Sequence, residues 1–217
     1  MTTPTIVYGQ TPGTVRWWAA AVRAEKVIVD TSEPIRRPRA DLHRYAIVGP
    51  QGVQQLSIPL AANSITPDAT LEHIGLSEHG RWRHVHWGAL YSAYGRTPFF
   101  EHLAPLLQPV ILGRQTTLLQ LMRQLHELVI DFMALPIAIE YRPADTGTEA
   151  TDLRPHLSHH HRGDTLDVTD RPYYQIWQQR HGFQPRMSIL DLACHQGPEG
   201  LITLLGMAGF AQHGKRY

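Results

Sequence analysis

The sequence predicts a mixed α/β fold, with a Rossmann-like, three-layer βαβ start, then a β-hairpin, then a mainly helical C-terminal half. Three observations support this prediction. Two short apolar runs near the N-terminus, residues 5–8 and 26–30, flank a segment with helical spacing. Residues 49–52 read Gly-Pro-Gln-Gly and separate two strand-like runs, which is typical of a hairpin. The longest segments with apolar residues at helical spacing all lie after residue 80.

The N-terminal segment predicts the βαβ unit. Residues 5–8 are the first strand, and residues 9–13 are a loop that contains Gly and Pro. Thr14 can cap a helix that extends to about residue 23, because the apolar residues of this segment share one helical face. Residues 26–30 are a buried-type strand that ends in Asp30. A strand, a loop, a helix and a strand in this order form a βαβ unit with parallel strands.

The middle of the chain predicts the hairpin, two helices and a further strand. The arms of the hairpin are residues 45–48 and 53–60. Residues 82–94 and 116–135 have apolar residues at helical spacing, and Pro98 opens a separate segment at residues 99–112 between them. Residues 137–141 are short and mostly apolar, and they predict a strand after the longest helix.

A long polar segment precedes the C-terminal helices. Residues 142–171 are rich in His, Asp and Thr and show no periodicity, so we expect a long mobile loop there. Helices are predicted at residues 173–180 and from Ser188 onward, with Asp191 as the capping-box partner of Ser188. A last helix follows the break at Gly197. The length suits one domain, over residues 1–217.

Composition excludes several classes of protein. Of the 217 residues, 42% are hydrophobic and 18% are charged, which supports a packed core. The formal net charge of +1 gives no overall field for binding nucleic acid. Residues 1–10 lack the pattern of a signal peptide, and no apolar run is long enough to span a membrane. The single cysteine, Cys194, favours a reducing compartment, so we expect a cytoplasmic protein.

The loop at residues 9–13 is the first candidate site. A helix N-terminus that follows a strand can offer free backbone N–H groups to an anion. Ligands of open α/β sheets lie at the carboxyl ends of the strands, where both Gln10 and Asp30 are expected. The loop has neither a Walker lysine nor a GxGxxG pattern, and an ordinary turn is the alternative.

Arginines that follow Asp30 are the second candidate site. The candidate site consists of Arg36, Arg37, Arg39, His43 and Arg44. Arginine can bind a phosphate or a carboxylate through two parallel hydrogen bonds, so the cluster favours an anionic ligand. The alternative is a solvated surface loop, which is the usual place for a run of charges.

His86 and Tyr94 are the third candidate site. On a helix they share one stripe with Trp87 and Leu90, so they could act together in proton transfer or hydrogen bonding. The alternative is that this stripe faces the core and that His86 is an interior histidine.

Two further groups favour ordinary structural roles. His156, His159, His160 and His161 lie in a polar segment that offers no helical scaffold to fix ligands at i and i+4, so no metal site is expected. Cys194 lies among apolar residues of a predicted helix and is expected to be buried and inert. No feature of the sequence identifies a cofactor.

Three blocks of sequence together resemble the WbqC-like protein family of bacteria. The first has His-Trp at 86–87, Ser-Ala-Tyr at 92–94 and Pro-Phe-Phe-Glu at 98–101, similar to the family's HW…SAY…PFFE block. The second has Tyr-Tyr-Gln at 173–175, His-Gly-Phe at 181–183, Ser-Ile-Leu-Asp-Leu at 188–192 and Gly-Pro-Glu at 197–199. The third combines the strand at 26–30 with Gly-Pro-Gln-Gly at 49–52 and Leu-Ser-Ile-Pro-Leu at 56–60. The chain departs from the family's YRNR-like stretch, where it has Asp-Leu-His-Arg at 41–44.

The resemblance implies a role in the biosynthesis of surface polysaccharide, or O-antigen. Our leading hypothesis is an enzyme that acts on a sugar or sugar nucleotide by group transfer, such as acyl or aminoacyl transfer. In this hypothesis His86 is the general base, and Asp30 orients it or binds substrate. The substrate-binding residues would be Gln10, Arg36, Arg37, Arg44 and Tyr94. The hypothesis predicts that His86→Ala abolishes turnover and leaves the fold intact.

The alternative function is a non-catalytic binding or assembly protein of a polysaccharide pathway. It would explain why the sequence shows no complete set of nucleophile, base and orienting group. Under either hypothesis the expected partner is a sugar nucleotide or another anionic small molecule. Neither nucleic acid nor a membrane span is expected, and the formation of a homo-oligomer is left open.

Overall fold

The computed structural model describes residues 5–24, 26–32, 34, 38, 40–144, 150–152 and 168–209. Its strands are β1 (Thr5–Val7), β2 (Lys26–Asp30), β3 (Arg44–Gly49), β4 (Gly52–Ser57), β5 (Ala138–Arg142) and β6 (Thr151–Asp152). Its helices are α1 (Val15–Ala24), α2 (Ala40–His43), α3 (Trp82–Tyr94), α4 (Phe100–Ile111), α5 (Leu118–Met133), α6 (Gln178–His181), α7 (Ile189–Gln196) and α8 (Gly200–Met207).

Four strands form one parallel sheet in the order β5-β2-β1-β6. In β1, Ile6 lies opposite Ile28 of β2 on one side and Asp152 of β6 on the other. Val7 and the three apolar residues of β2 are fully buried, as is typical of parallel strands that are covered on both faces. The predicted mixed α/β class, with its βαβ start, hairpin and helical C-terminal half, is confirmed.

The strand order reverses next to β1. From β1 the chain moves through β2 to β5 on one side, and it then returns to place β6 on the other side of β1. In open α/β sheets, ligands bind in the crevice at the carboxyl ends of the strands where the order reverses. The loop between β1 and α1 therefore occupies the position that this class of fold uses for binding.

The hairpin lies close to this loop through a segment from the C-terminal half. Strands β3 and β4 pair from Arg44 opposite Ser57 to Gly49 opposite Gly52. The segment that precedes α7 joins the two regions by backbone hydrogen bonds: Val15 N to Met187 O (3.0 Å), Ile189 N to Gly13 O (2.9 Å) and Ser188 N to Ala46 O (2.9 Å). The loop after β1, the strand β3 and the segment before α7 thus meet at the carboxyl end of β1.

The helical half packs around the apolar face of α5. Met122, Leu125, Val129 and Met133 of this helix are buried at helical spacing. They belong to a core that continues through the apolar residues of α3, α4 and α7. Among the described residues, no helix is both long enough and apolar enough to cross a membrane.

Three local features differ from the sequence-based expectation. Only Gln178–His181 of the predicted helix at 173–180 is helical. The chain before it is not helical. Tyr173 and Gln175, two positions apart, both donate hydrogen bonds to Asp191. Residues two positions apart point to the same side in an extended backbone but not in a helix. Asp191 is therefore a hydrogen-bond acceptor for these residues and not the capping-box partner of Ser188. Within the segment expected as a long loop, Thr151–Asp152 forms β6 beside β1.

A capping box stabilises the start of α5, and mutation of its first residue tests this contribution. The Thr117 hydroxyl accepts from Gln120 N (3.2 Å), and the two residues form a reciprocal capping box. We expect Thr117→Ala to lower the free energy of unfolding by about 1 kcal/mol. Thr117→Ser keeps a hydroxyl and should retain most of the wild-type stability. Urea unfolding of both variants measures the difference. An equal loss in both variants would show that the hydroxyl does not stabilise the helix.

Candidate functional site

A small cleft opens where β1, the hairpin and the segment before α7 meet. Its volume is about 50 Å³, which accommodates a few waters or one small anionic group rather than a whole nucleotide. The polar and charged side chains that line it include Gln10, Thr14, Asp41, Arg44, Gln55 and Arg186. The cleft lies at the carboxyl end of β1, where the strand order reverses.

The loop between β1 and α1 is held by buried side chains. Three of its carbonyl oxygens accept hydrogen bonds: that of Tyr8 from the Trp17 indole (2.9 Å), that of Gln10 from His126 Nε2 (2.8 Å) and that of Pro12 from the Trp18 indole (3.1 Å). Gly13 has a φ of +94°, and a Cβ there would lie 2.7 Å from Trp18 Nε1. Both the conformation and the close approach of the indole therefore require glycine at this position.

Gln10 is fixed at both ends of its amide. It is only 4% exposed, its Nε2 donates to Asp41 Oδ2 (3.1 Å), and its Oε1 accepts from Thr14 N (3.2 Å). Val15 N and Trp17 N also have partners within the protein, namely Met187 O and Thr14 Oγ1. The N-terminus of α1 therefore has fewer free N–H groups than expected from sequence, and an anion in the cleft would be bound mainly by arginine side chains.

Two exposed arginines line the cleft. Arg44 begins β3, and Arg186 comes from the segment before α7. Arg186 Nε also lies 3.9 Å from Asp170 Oδ2, and Arg16 Nη1 lies 4.0 Å from the same oxygen. Unlike Asp170, the Asp41 carboxylate lines the cleft. The cleft thus combines guanidinium groups for an anion with a buried, rigid amide–carboxylate pair.

His86 lies in the interior, behind Tyr45. It is 3% exposed, and its Nε2 donates to Ser57 O (3.1 Å), because a carbonyl oxygen can only accept. Nδ1 of the neutral ring then accepts from the Tyr45 hydroxyl (3.0 Å). Burial lowers the pKa of His86 to about 4. Both ring nitrogens are therefore engaged in hydrogen bonds within the protein.

Tyr94 and Asp30 are also buried and lie outside the lining of the cleft. The Tyr94 hydroxyl accepts from Val48 N (3.3 Å), and burial together with the nearby Asp191 raises the pKa of Tyr94 well above its usual value. Asp30 Oδ1, at the end of β2, accepts from Ser32 N (3.0 Å) and Ala144 N (3.1 Å). These bonds give Asp30 a structural role in joining the loops after β2 and β5.

The remaining sequence-predicted residues can be placed only in part. Of the predicted substrate-binding residues, the structure brings Gln10 and Arg44 into one cleft. Arg36, Arg37 and Arg39 lie outside the described residues, as does the histidine cluster at 156–161. Within the ranges that the structure describes, no group of three or more His, Cys, Asp and Glu residues could hold a metal ion.

Sequence reasoning missed three residues that shape the cleft. Asp41 and Arg186 gave no local signal, since each acquires its role from a distant part of the chain. His126 did carry a signal, because it follows Leu119 and Met122 and precedes Val129 on the apolar face of α5. The His126 ring is fully buried, its Nδ1 accepts from the Tyr141 hydroxyl (2.8 Å), and burial lowers its pKa to about 4.

The comparison with known proteins identifies one family. The model of the WbqC-like protein family matches residues 39–146, which include Arg44, His86 and Tyr94. The loop with Gln10 and the segment with Arg186 lie outside the matched range. No curated protein and no solved structure matches the chain. Through the range from residue 39 to residue 146, the chain belongs to the WbqC-like protein family.

Proposed function

We propose that the protein binds an anionic sugar or sugar nucleotide of surface-polysaccharide (O-antigen) biosynthesis in the cleft between Gln10 and Arg44. The observation that carries the proposal is the position of Arg44 and Arg186 on a cleft at the carboxyl end of β1. This is the edge where folds of this class bind ligands. Guanidinium groups bind phosphate and carboxylate through paired, charge-assisted hydrogen bonds.

The size and rigidity of the cleft support binding of one charged group of a larger ligand. A volume of about 50 Å³ suits a phosphoryl or carboxylate group, with the rest of the ligand outside. The Gln10–Asp41 pair is held by the hydrogen bonds of its loop, so it needs little ordering when a ligand binds. Asp41 can accept a hydrogen bond from a sugar hydroxyl.

Group transfer, such as acyl or aminoacyl transfer, is the proposed reaction class. The assignments of His86 as general base, of Asp30 as its orienting or substrate-binding residue and of Tyr94 as a substrate-binding residue stay predictions. A base needs a free lone pair, and the Nδ1 lone pair of His86 accepts from Tyr45. Catalysis by His86 therefore requires that the Tyr45 hydroxyl give up this bond when substrate is present.

A non-catalytic binding or assembly protein is the second candidate function. The observation that favours it is the engagement of both ring nitrogens of His86 within the core. Incubation with sugar nucleotides and acyl or aminoacyl donors, followed by mass spectrometry of the products, separates the two functions. A new covalent product supports group transfer, whereas binding without any product supports the second candidate.

Replacement of Arg44 tests binding in the cleft. We expect nucleotides or sugar nucleotides to raise the melting temperature of the protein by a few degrees near 100 times their Kd. Arg44→Ala should weaken binding about tenfold, because one charge-assisted pair of hydrogen bonds is lost. The matched control is Arg114→Ala, an exposed arginine outside the lining of the cleft. Equal affinities in the two variants would contradict the proposed site.

A further inference from the structure

Two glutamines in different environments line the cleft. Gln10 is buried, and both ends of its amide are engaged, one by the Asp41 carboxylate and the other by Thr14 N. Gln55, in β4, lines the same cleft and is exposed. An exposed amide can donate and accept new hydrogen bonds without breaking those that hold the fold. Gln55 therefore adds a neutral polar group that is available to a ligand.

The register of the hairpin places Gln55 beside Arg44 on one face. Residues paired across two antiparallel strands point to the same side, and the side alternates along each strand. Gln55 is paired with Ala46, which lies two residues after Arg44 in β3. Arg44 and Gln55 thus project from the face that carries Ala46, and all three residues line the cleft. Diagonal neighbours of this kind are roughly 7–8 Å apart, which is about the width of a sugar ring with its hydroxyls.

Ala46 leaves space between the guanidinium of Arg44 and the amide of Gln55. Its side chain is a single methyl group, so this position of the hairpin face adds little bulk to the lining. The cleft itself has a volume of about 50 Å³, which holds one charged group but no ring. A ring attached to that charged group would lie outside the cleft, and across Ala46 it would reach Gln55.

We propose that Gln55 determines specificity by binding a hydroxyl of a sugar ring whose phosphoryl group is held at Arg44, so that the ligand contains a sugar phosphate. This inference rests on the proposed function, because the anionic group must lie in the cleft. A sugar hydroxyl both donates and accepts hydrogen bonds, as the amide of glutamine does, so the two groups match in either orientation. A bare anion would occupy the cleft without contacting Gln55.

Two ring phosphates, one with ring hydroxyls and one without, test the proposal. Glucose 1-phosphate and cyclohexyl phosphate both carry a six-membered ring on a phosphoryl group, but the ring of cyclohexyl phosphate has no hydroxyl. Phosphorus NMR titration at low ionic strength would measure the affinity of each compound for the wild type and for Gln55→Ala. We expect glucose 1-phosphate to bind about fivefold more weakly to Gln55→Ala, because one hydrogen bond is lost. The affinity for cyclohexyl phosphate should change less than about twofold, because it has no such hydrogen bond to lose.

The matched control is Gln54→Ala. Gln54 is the preceding residue of β4 and is also exposed, but it is paired with Ile47, so it points to the opposite face of the hairpin and lies outside the lining of the cleft. Its replacement should leave both affinities unchanged. Gln55→Leu, which also removes the amide, serves as the second variant if Gln55→Ala proves unfolded by its thermal transition.

The outcomes separate this inference from the proposed function. If Arg44→Ala weakens binding of both compounds, but Gln55→Ala weakens neither of them or both equally, the role of Gln55 is wrong and the proposed function stands. If Arg44→Ala weakens neither, or if the wild type binds neither these compounds nor a sugar nucleotide, both proposals fail.

Two sources of the sugar phosphate can be distinguished in the same assay. Glucose 1-phosphate is the free form, and uridine diphosphate glucose carries the same glucosyl phosphate on a nucleotide. The form that binds the wild type more tightly, with the same loss of affinity in Gln55→Ala, supports the proposal and identifies the source. Equal affinities of wild type and Gln55→Ala for both compounds would overturn it.

Discussion

The free energy of unfolding is expected to fall by several kcal/mol when the pH is lowered from 7 to 4. Two buried histidines, His86 and His126, have pKa values of about 4 in the folded protein, against 6.5 for an ordinary histidine. Between these values the unfolded chain binds more protons than the folded one, so stability decreases as the pH falls. The contribution is fully present above about pH 6.5 and amounts to about 3 kcal/mol for each histidine.

Replacement of His126 isolates its part of this effect. In His126→Gln the amide can still donate to Gln10 O, but the side chain no longer titrates. Urea unfolding at pH 7, 5.5 and 4.5 should therefore give a shallower loss of stability in this variant than in the wild type. The matched control is His84→Gln, which changes an exposed histidine and should follow the wild-type curve. Parallel curves for His126→Gln and the wild type would show that His126 is not the titrating group.

Removal of the Asp191 carboxylate is expected to lower the free energy of unfolding by about 4 kcal/mol, or roughly 10 °C in melting temperature. Asp191 is fully buried, and its Oδ2 accepts from the Tyr173 hydroxyl (2.6 Å) and from Gln175 Nε2 (2.8 Å). In Asp191→Ala both donors lose this acceptor, and Tyr173 and Gln175 are themselves buried. Buried donors without partners are costly, because water cannot replace the missing acceptor.

Two variants make the Asp191 measurement specific. Asp191→Asn keeps an oxygen acceptor of similar shape and should lose less stability than Asp191→Ala in the same urea titration. Asp131→Ala removes an exposed carboxylate from α5 and should change the free energy of unfolding by less than about 0.5 kcal/mol. If Asp191→Ala and Asp131→Ala were equally stable, the buried hydrogen bonds would contribute nothing to folding.

The Asp191 hydrogen bonds explain one block of the family-like sequence. Tyr173 and Gln175, two positions apart, both contact Asp191, while the intervening Tyr174 is 54% exposed. Asp191 also contributes to the raised pKa of Tyr94, after the larger effect of burial. The network therefore attaches the chain before α6 to α7 and to the end of α3. Part of the resemblance is accounted for by the packing of the core.

Local sequence was sufficient where one element determines its own structure. The bounds predicted for α3, residues 82–94, are those observed, and β2 was predicted at its observed residues. The continuous apolar run of β2 and the apolar residues spaced along α3 are both local patterns. The predicted βαβ unit placed Gln10 at the carboxyl end of β1, and the cleft lies at this end of the sheet. The role of Gln10 in binding stays a prediction.

The tertiary structure alone decided what surrounds Gln10. Its side chain bonds Asp41, 31 positions away, and its carbonyl oxygen bonds His126, 116 positions away. β6 has two residues and no periodicity, so only its pairing with β1 identifies it as a strand. Arg186 reaches the cleft because the segment before α7 bonds to both α1 and β3.

The sequence by itself thus determined the class of fold, the family and the end of the sheet that carries the cleft. These properties follow from patterns within single elements and from short motifs. The composition of the cleft, the interior position of His86 and the pairing of Arg16 and Arg186 with Asp170 were decided by the tertiary structure. They depend on contacts between residues far apart in the chain, and such contacts leave no periodic trace in a single sequence.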